Sequence, residues 1–526
     1  MISTSEAWKR AQLETILPET FVEIEYDVTE PGLQLDARES NNGAMAYSNH
    51  EEIVDVTGKI RPLYATAEHN IWALDGSVGL LPNNAPYGST GYVSSAFVSE
   101  KAPVVSIRFS GVHDQPIPGL TITWSSTYNE YASRFRITAY RGSTQILSKE
   151  FIGTSATSVC DLSISGYDRI DVTILEWCFP NRRARIERLF LGTLYTYTKS
   201  DLIGYTHTQR GDILSAELPK NSIVFSLDNS SGAWNPDNIT GHAQYLAEQQ
   251  KLSVRYGMRI GDNIEWINAG TFWISEWETP SNGLEVKFTA RDLIEFMSDV
   301  YAGARSGTLY AIAEAALIQA ELPVQDNGQP RWLLSDNLKE FEIDFTADNT
   351  QYTLAEIVQL CANAGCCVMY QDRSGVIRVE PVAENSSGYI IRRFVSYSHP
   401  EFTFTKPLKM VLVNDGLGTA LNSAIGETQL VDNTLITGEV MADRVAEWVR
   451  KTLATRKTIS GEFRADPSLD VFDKIAVESK YGANNAIYVT EIEYSYNGAF
   501  RGKYVGRITD FDSEVWYSGE LYSGEV

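Results

Sequence analysis

The chain has 526 residues, enough for about three to four domains at roughly 150 residues each. It is 43% hydrophobic, which supplies several cores and excludes disorder from want of apolar surface. The 44 Lys plus Arg against 68 Asp plus Glu leave a formal net charge of −24, which argues against coating nucleic acid, because such binding relies on cations that neutralise phosphates.

Residues 5–17 predict a short helix with Ser and Thr available as caps. Glu6 and Glu14, and the lack of a basic-then-apolar order, are unlike a signal peptide. Over 21–28, Phe21, Glu23, Glu25 and Asp27 alternate with Val22, Ile24, Tyr26 and Val28, the period of a strand with one wet face. A polar connector over 39–43 leads to a second predicted strand near 46–56. From 58 to 192 short β runs (104–109, 120–124, 134–140, 170–175) alternate with Gly, Pro, Asn and Ser turns, the texture of a jelly-roll sandwich. Longer strands follow at 222–227, 252–260, 264–278 and 284–290.

Helical periodicity then takes over. Leu293, Phe296 and Met297 predict a helix over about 291–301, and Leu309, Ile312, Ala313, Ala316 and Leu317 predict the next. Thr353-Leu-Ala-Glu356 is a capping box that opens a third, with the stripe Leu354, Ile357, Val358, Cys361 and a predicted left-handed cap at Gly365. Segments 366–370 and 376–380 read as a hairpin across Asp372-Arg-Ser-Gly375. The last part predicts strands near 401–405 and 410–414, a helix near 438–455 and further strands at 459–465, 475–478, 487–496 and 504–508. An acidic, aromatic tail over 510–526 follows. No run approaches the roughly 18 apolar residues of a membrane helix.

Signals for catalysis are sparse. HExxH, GxSxG, GxxxxGK[ST] and CxxC are all absent, and Gly416-Leu-Gly418 reads as a turn. The six histidines are scattered, and the five cysteines read as buried small hydrophobes in a reducing compartment. Asp510, Asp512 and Glu514 lack the glycine and remaining ligands of a calcium loop. No carboxylate pair stands out as a glycosidase pair. No catalytic, metal or cofactor site is expected. The 58–192 segment is rich in aromatics, and sugar rings stack on Trp and Tyr while Asp, Asn and Arg bind their hydroxyls. Trp72, Asp75, Tyr87, Tyr92, Trp124 and Tyr128 are therefore the candidate carbohydrate-binding residues, with core packing as the rival reading.

Several strings, in order, resemble phage tail proteins. LDNSSGAWNPDN over 227–238 is similar to a turn of tail proteins from phages of Gram-positive bacteria. It is followed by Tyr256-Gly257, EWI (265–267), AGTFWISEW (269–277) and FTARDL (288–293). TLAEIV (353–358) and YQDRSGVIRVEP (370–381) resemble the middle of baseplate hub proteins, and RADPSLDVFD (464–473) and YNGAFRG (496–502) resemble their last barrel. YATAEHNIWALDGS (64–77) looks like the start of a discoidin-like jelly roll.

The resemblance, to the tail-tip hub family of contractile baseplates and siphophage tails, implies a mainly β chain with an α+β domain. Two hub-type β-barrels would bracket the central α+β domain, with the sandwich inserted. The expected boundaries are 1–57 for the helix and first strands of barrel I, 58–192 for the insert and 193–297 for the rest of barrel I. The α+β domain is expected over 298–398, barrel II over 399–509 and the tail over 510–526. The resemblance also implies a non-enzymatic homotrimer in the virion, made in the host bacterial cytoplasm. Implied partners are tail tube and distal tail proteins, tape measure and tip or fibre proteins, and through the insert a host polysaccharide. DNA would pass without specific binding, and the chain itself would not insert in a membrane. A hexameric distal tail ring, a receptor-binding adhesin and a wall-degrading enzyme are the alternatives.

Overall fold

The computed structural model describes residues 1–16, 18–30, 33–41, 43–45, 48, 53, 54, 68, 91–238, 241–280, 283–323, 325, 329–383, 387–454, 457–482 and 484–508. The class is mainly β with a helical subdomain.

Strand Thr20–Val28 shows why alternation is decisive: Val22, Ile24, Tyr26 and Val28 point into the core while the charged set faces outward. It is one member of a 13-stranded sheet. In spatial order its main path runs Thr193–Tyr197, Thr20–Val28, Lys251–Ile260, Asn263–Glu278, Glu285–Arg291, Lys220–Asp228, Leu202–Arg210, Asn484–Tyr496, Phe500–Ile508, Lys457–Phe463 and Glu401–Phe404. The first seven strands form one β unit and the rest a second. The long strand Asn484–Tyr496 makes the join: its first half pairs with Lys474–Glu478, and residues 491–496 pair antiparallel with 205–210. One continuous apolar core, from Trp8 and Tyr26 to Tyr494 and Tyr504, runs beneath both units.

The helical subdomain has its own core. Helix Leu309–Gln319 packs on helix Leu354–Ala364, and Glu439–Leu453 packs its Met441, Val445 and Val449 face on the sheet formed by Leu408–Val413, Gly418–Leu421 and Glu427–Val431. The capping box is present: Thr353 Oγ1 accepts from the Glu356 amide at 3.2 Å, and the Glu356 carboxylate accepts from the Thr353 amide at 2.8 Å. Thr353→Ala is expected to lower unfolding free energy by about 1 kcal/mol, read as a shift in the urea midpoint.

Three expectations are corrected here. The helix predicted over 291–301 is only a short 3-10 turn, Leu293–Phe296; beyond it the Tyr301 amide bonds to the Tyr352 carbonyl, and that tertiary bond replaces the next helical turn. The left-handed residue after helix Leu354–Ala364 is Cys366 (φ 56°), not Gly365 (φ −85°). At Gly365 space is the issue instead, since a Cβ there would lie 2.4 Å from Leu338 Cδ2 and Leu338 would have to shift. Residues 39–41 of the polar connector are strand: Arg38–Asn41 pairs with 105–108. Most of the strand expected near 46–56 lies outside the described residues, as does the 510–526 tail.

The third body is a β-sandwich. A five-stranded sheet (Arg38–Asn41, Val104–His113, Tyr167–Trp177, Ala132–Arg141, Thr144–Ile152) faces a three-stranded one (Arg188–Phe190, Ile117–Thr123, Thr157–Ile164). Between them lies a core of Val105, Ile107, Ile122, Trp124, Phe135, Ile137, Ile170 and Val172. Leu33, Ala37, Ile53 and Val54, which precede 58–192 in sequence, belong to the same core.

Candidate functional site

A dense polar construction is built on the loop over 464–473, where the two β units, the N-terminal helix and the helical subdomain meet. Asp466 accepts from the Trp8 indole at 3.3 Å and from the Ser468 amide at 3.1 Å. The Tyr494 hydroxyl donates to the carbonyls of Asp466 and Leu469. Asp470 receives Gln209 of the first β unit at 3.1 Å and Arg373 of the 372–375 turn at 2.9 Å. Arg373 also donates to the carbonyls of Asn268 and Leu469, each at 2.9 Å, and the Asn268 amide returns a bond to the Arg373 carbonyl at 2.8 Å. One buried guanidinium therefore ties the two β units and the helical subdomain together. The Met1 amino group pairs with Asp473, closing the N-terminus onto the same loop. Burial raises the Asp466 and Asp473 carboxyls above the usual carboxylate range.

The adjoining cleft is lined by Gln209, Asp292, Gln371, Arg373 and Asp470. Asp292 is buried, its Oδ2 has no hydrogen-bond partner among the described residues, and burial pushes its carboxyl up to about 7. Beside it, Asn221 links two groups: its carbonyl accepts from the Asp292 amide, and its side-chain oxygen lies 2.8 Å from His207 Nε2. His207 Nδ1 lies 2.7 Å from the Tyr256 hydroxyl, and burial holds the ring down to about 4.

The 227–238 string closes one end of the first β unit. Buried Asn229 accepts from the Trp234 amide at 2.9 Å and donates to Asn235 at 2.9 Å, while Asn238 donates to the Gly232 carbonyl at 3.0 Å. These bonds seat the Trp234 ring against Tyr26 and edge-on to Phe288. Both families of string quoted above thus have structural work: one plugs the sheet end, the other bolts the bodies together.

The carbohydrate candidates separate. Trp72, Asp75 and Tyr87 lie outside the described residues. Tyr92 and Trp124 are 0% exposed. Trp124 stands edge-on to Phe135 and Trp177 and donates its indole N–H to Ser158 at 2.9 Å. Tyr128 is half-buried under Arg185, whose guanidinium sits 5.5 Å from the ring centre and pairs with Glu68. Next to it Glu130 accepts from Arg182 at 2.9 Å and from the Trp177 indole at 2.9 Å. Glu68, Glu130, Arg182 and Arg185 were not among the sequence candidates. Their pairings span up to 117 positions, so no local spacing announces them.

At the root of the sandwich, His113 Nδ1 lies 3.1 Å from Glu30 and Nε2 3.0 Å from Asp36. Burial opposes protonation of this ring, but the two carboxylates outweigh it and raise its pKa. All five cysteines are free thiols, and no three His, Cys, Asp or Glu side chains gather in a metal-holding arrangement among the described residues. None of the described helices is long and apolar enough to cross a membrane.

No family model matches the chain, and no curated protein matches it. Solved structures similar to it include a tail protein from Neisseria meningitidis MC58 (10% identity, TM-score 0.44, 61% of this chain and 94% of that one). The 43 kDa tail protein of prophage MuSo2 from Shewanella oneidensis is 12% identical with a TM-score of 0.42, over 60% of this chain and 94% of that one. Prophage tail protein gp18 from Listeria monocytogenes EGD-e is 10% identical with a TM-score of 0.35, over 62% and 93%. TM-scores below 0.5 assign neither a function nor a site to this chain.

Proposed function

We propose that the chain is a structural, non-enzymatic component of a phage or phage-like tail tip: a trimeric hub that links the tail tube to the distal tip. The observation that carries this reading is the antiparallel pairing of 205–210 with 491–496, which welds two β units of one chain into a single sheet. Three such chains present six β units, a number able to meet a sixfold tube with a threefold tip. The ordered strings from 227 to 502 support the same reading, because they fall in turn on the strands, helix start, hairpin and loop from which the two β units and the helical subdomain are built. Its partners would be tube and distal tail proteins above and tape measure, tip or fibre proteins at its centre. With the tube partner present, the full chain is expected to close as a three-copy ring by native mass spectrometry and on tail tips by electron microscopy. A chain that stays single there, or closes as six copies, overturns the hub in favour of no ring or a distal tail ring.

The net charge of −24 fits the passage of DNA without adhesion, since an acidic lining repels phosphates. A basic lining along the threefold axis would overturn that part.

The sandwich is proposed as the module that meets host polysaccharide, supported by the half-buried Tyr128 beneath Arg185, whose guanidinium Glu68 holds. Calorimetry of the full chain against host wall polysaccharide should show binding that Tyr128→Ala weakens with the urea midpoint unchanged. Trp124→Ala, by contrast, empties a core position and should cost about 3–5 kcal/mol of stability. Absence of binding heat removes the module's proposed role and leaves the hub reading intact.

A further inference from the structure

The five-stranded sheet of the sandwich turns Ile107, Ile137 and Ile170 into the core, so the alternate residues of the same strands form its outer face. The pairing registers set three arginines side by side on that face: Arg38 opposes Arg108, and Arg108 opposes Arg169. Tyr140 continues the row beside Arg169. The adjacent row is made of hydroxyls and one acid. Ser40, Ser106, Asp171, Thr138 and Ser148 oppose one another in turn across all five strands.

Directly opposed residues of an antiparallel pair stand about 5 Å apart at Cα, and like charges placed so repel and destabilise the sheet. The next arginines along the face are neutralised: Arg134 pairs with Glu176 at 2.6 Å, and Arg136 pairs with Glu150. The row of three is met by Asp171, 3.3 Å from Arg169. Arg38 and Arg108 are exposed, and the Arg169 guanidinium is stacked 3.9 Å from the centre of the Tyr140 ring, which fixes its place. In a chain of formal net charge −24, this local gathering of cations opposes the stability of its own sheet and is complementary to an anion. Guanidinium forks match the two oxygens of a carboxylate. The hydroxyls beside them both donate and accept, as sugar hydroxyls require.

We propose that this outer face binds an acidic polysaccharide, with sugar carboxylates on Arg38, Arg108 and Arg169 and sugar hydroxyls on the serine and threonine row. The inference rests on the reading of the sandwich as a polysaccharide-binding module, and it adds the charge of the ligand and a binding face apart from Tyr128.

Calorimetry of the full chain with polygalacturonate tests it, with dextran as the neutral comparison and duplex DNA as the phosphate-bearing one. Polygalacturonate should bind, more weakly as salt is added. Its affinity should fall roughly 10-fold in Arg108→Gln and again in Arg169→Gln, since each loses a charged donor. Arg108→Lys keeps the charge without the fork and should restore only part of the loss. The urea midpoint of Arg108→Gln should hold or rise, because the variant relieves repulsion between opposed arginines. A midpoint that falls marks the row as a structural brace and overturns the proposal. So does the absence of binding heat with polygalacturonate, or an equal affinity for dextran or DNA. Host wall polysaccharide that binds through Tyr128 but is indifferent to both arginine variants overturns this inference alone and leaves the module reading standing.

Discussion

Replacing Arg373 with methionine is expected to lower the unfolding free energy by about 3 kcal/mol, because the half-buried Asp470 carboxylate and two carbonyls lose a charged donor at once. The Arg373 side chain is 5% exposed, and it joins the 372–375 turn to Asn268 of the first β unit and to Leu469 and Asp470 of the loop over 464–473. Among the described residues Asp470 then keeps Gln209 at 3.1 Å as its side-chain donor. The urea midpoint should fall accordingly, while the bonds of Gln371 to the Thr271 carbonyl and of Gln359 and Asn363 to the 214–215 carbonyls still hold the helical subdomain to the sheet. Arg373→Met combined with Asp470→Leu should recover part of the loss, because the unpaired charge is gone. If the double variant is as unstable as the sum of the single ones, the pair is not coupled and the bolt is misassigned.

The second large effect is in pH dependence, where two buried groups act with opposite sign. His207 is held down to about 4 from an ordinary 6.5. Below 6.5 the unfolded chain takes up this proton before the folded one, so stability falls as pH drops from 6.5 to about 4, by roughly 3 kcal/mol in all. Asp292 is pushed up to about 7 from 3.8, so between those values the folded chain holds a proton that the unfolded chain lacks. Its contribution grows as pH falls from 7 towards 3.8, by roughly 4 kcal/mol. The two slopes oppose each other over most of that window.

Asp292→Asn should expose the histidine, with stability declining from pH 6.5 to 4 relative to the parent chain. His207→Gln should expose the carboxyl, with stability rising over the same window. Urea midpoints of the three proteins, measured pH by pH, separate the terms, since Asp466, Asp473 and other groups are common to all three. Superimposable profiles would mean that neither group titrates with folding.

Much of this protein was legible before any tertiary information. Alternation over 21–28 identified a strand and its inner face because side chains in a strand repeat every two residues. The capping box at Thr353 identified a helix start because both bonds are local, three residues apart. The candidate sites were less legible. Trp124 and Tyr128 sit four residues apart in equally aromatic text, yet one is sealed between Phe135 and Trp177 and the other half-emerges beneath Arg185. The misread helix over 291–301 has the right spacing of apolar residues, but the Leu354 and Ala355 amides bond to carbonyls at 299 and 297 and hold that stretch in another shape.

By itself the amino-acid order determined the class, the strands with a wet face, the caps, and the strings whose asparagines and aspartates fold back on their own loops. These depend on interactions within a few residues. Only the tertiary structure decided that two β units share one sheet and one core, and that Arg373 meets Asp470 across 97 positions. Such contacts are set by which surfaces remain to be buried once the local elements exist, and that is a property of the whole packed chain rather than of any stretch of it.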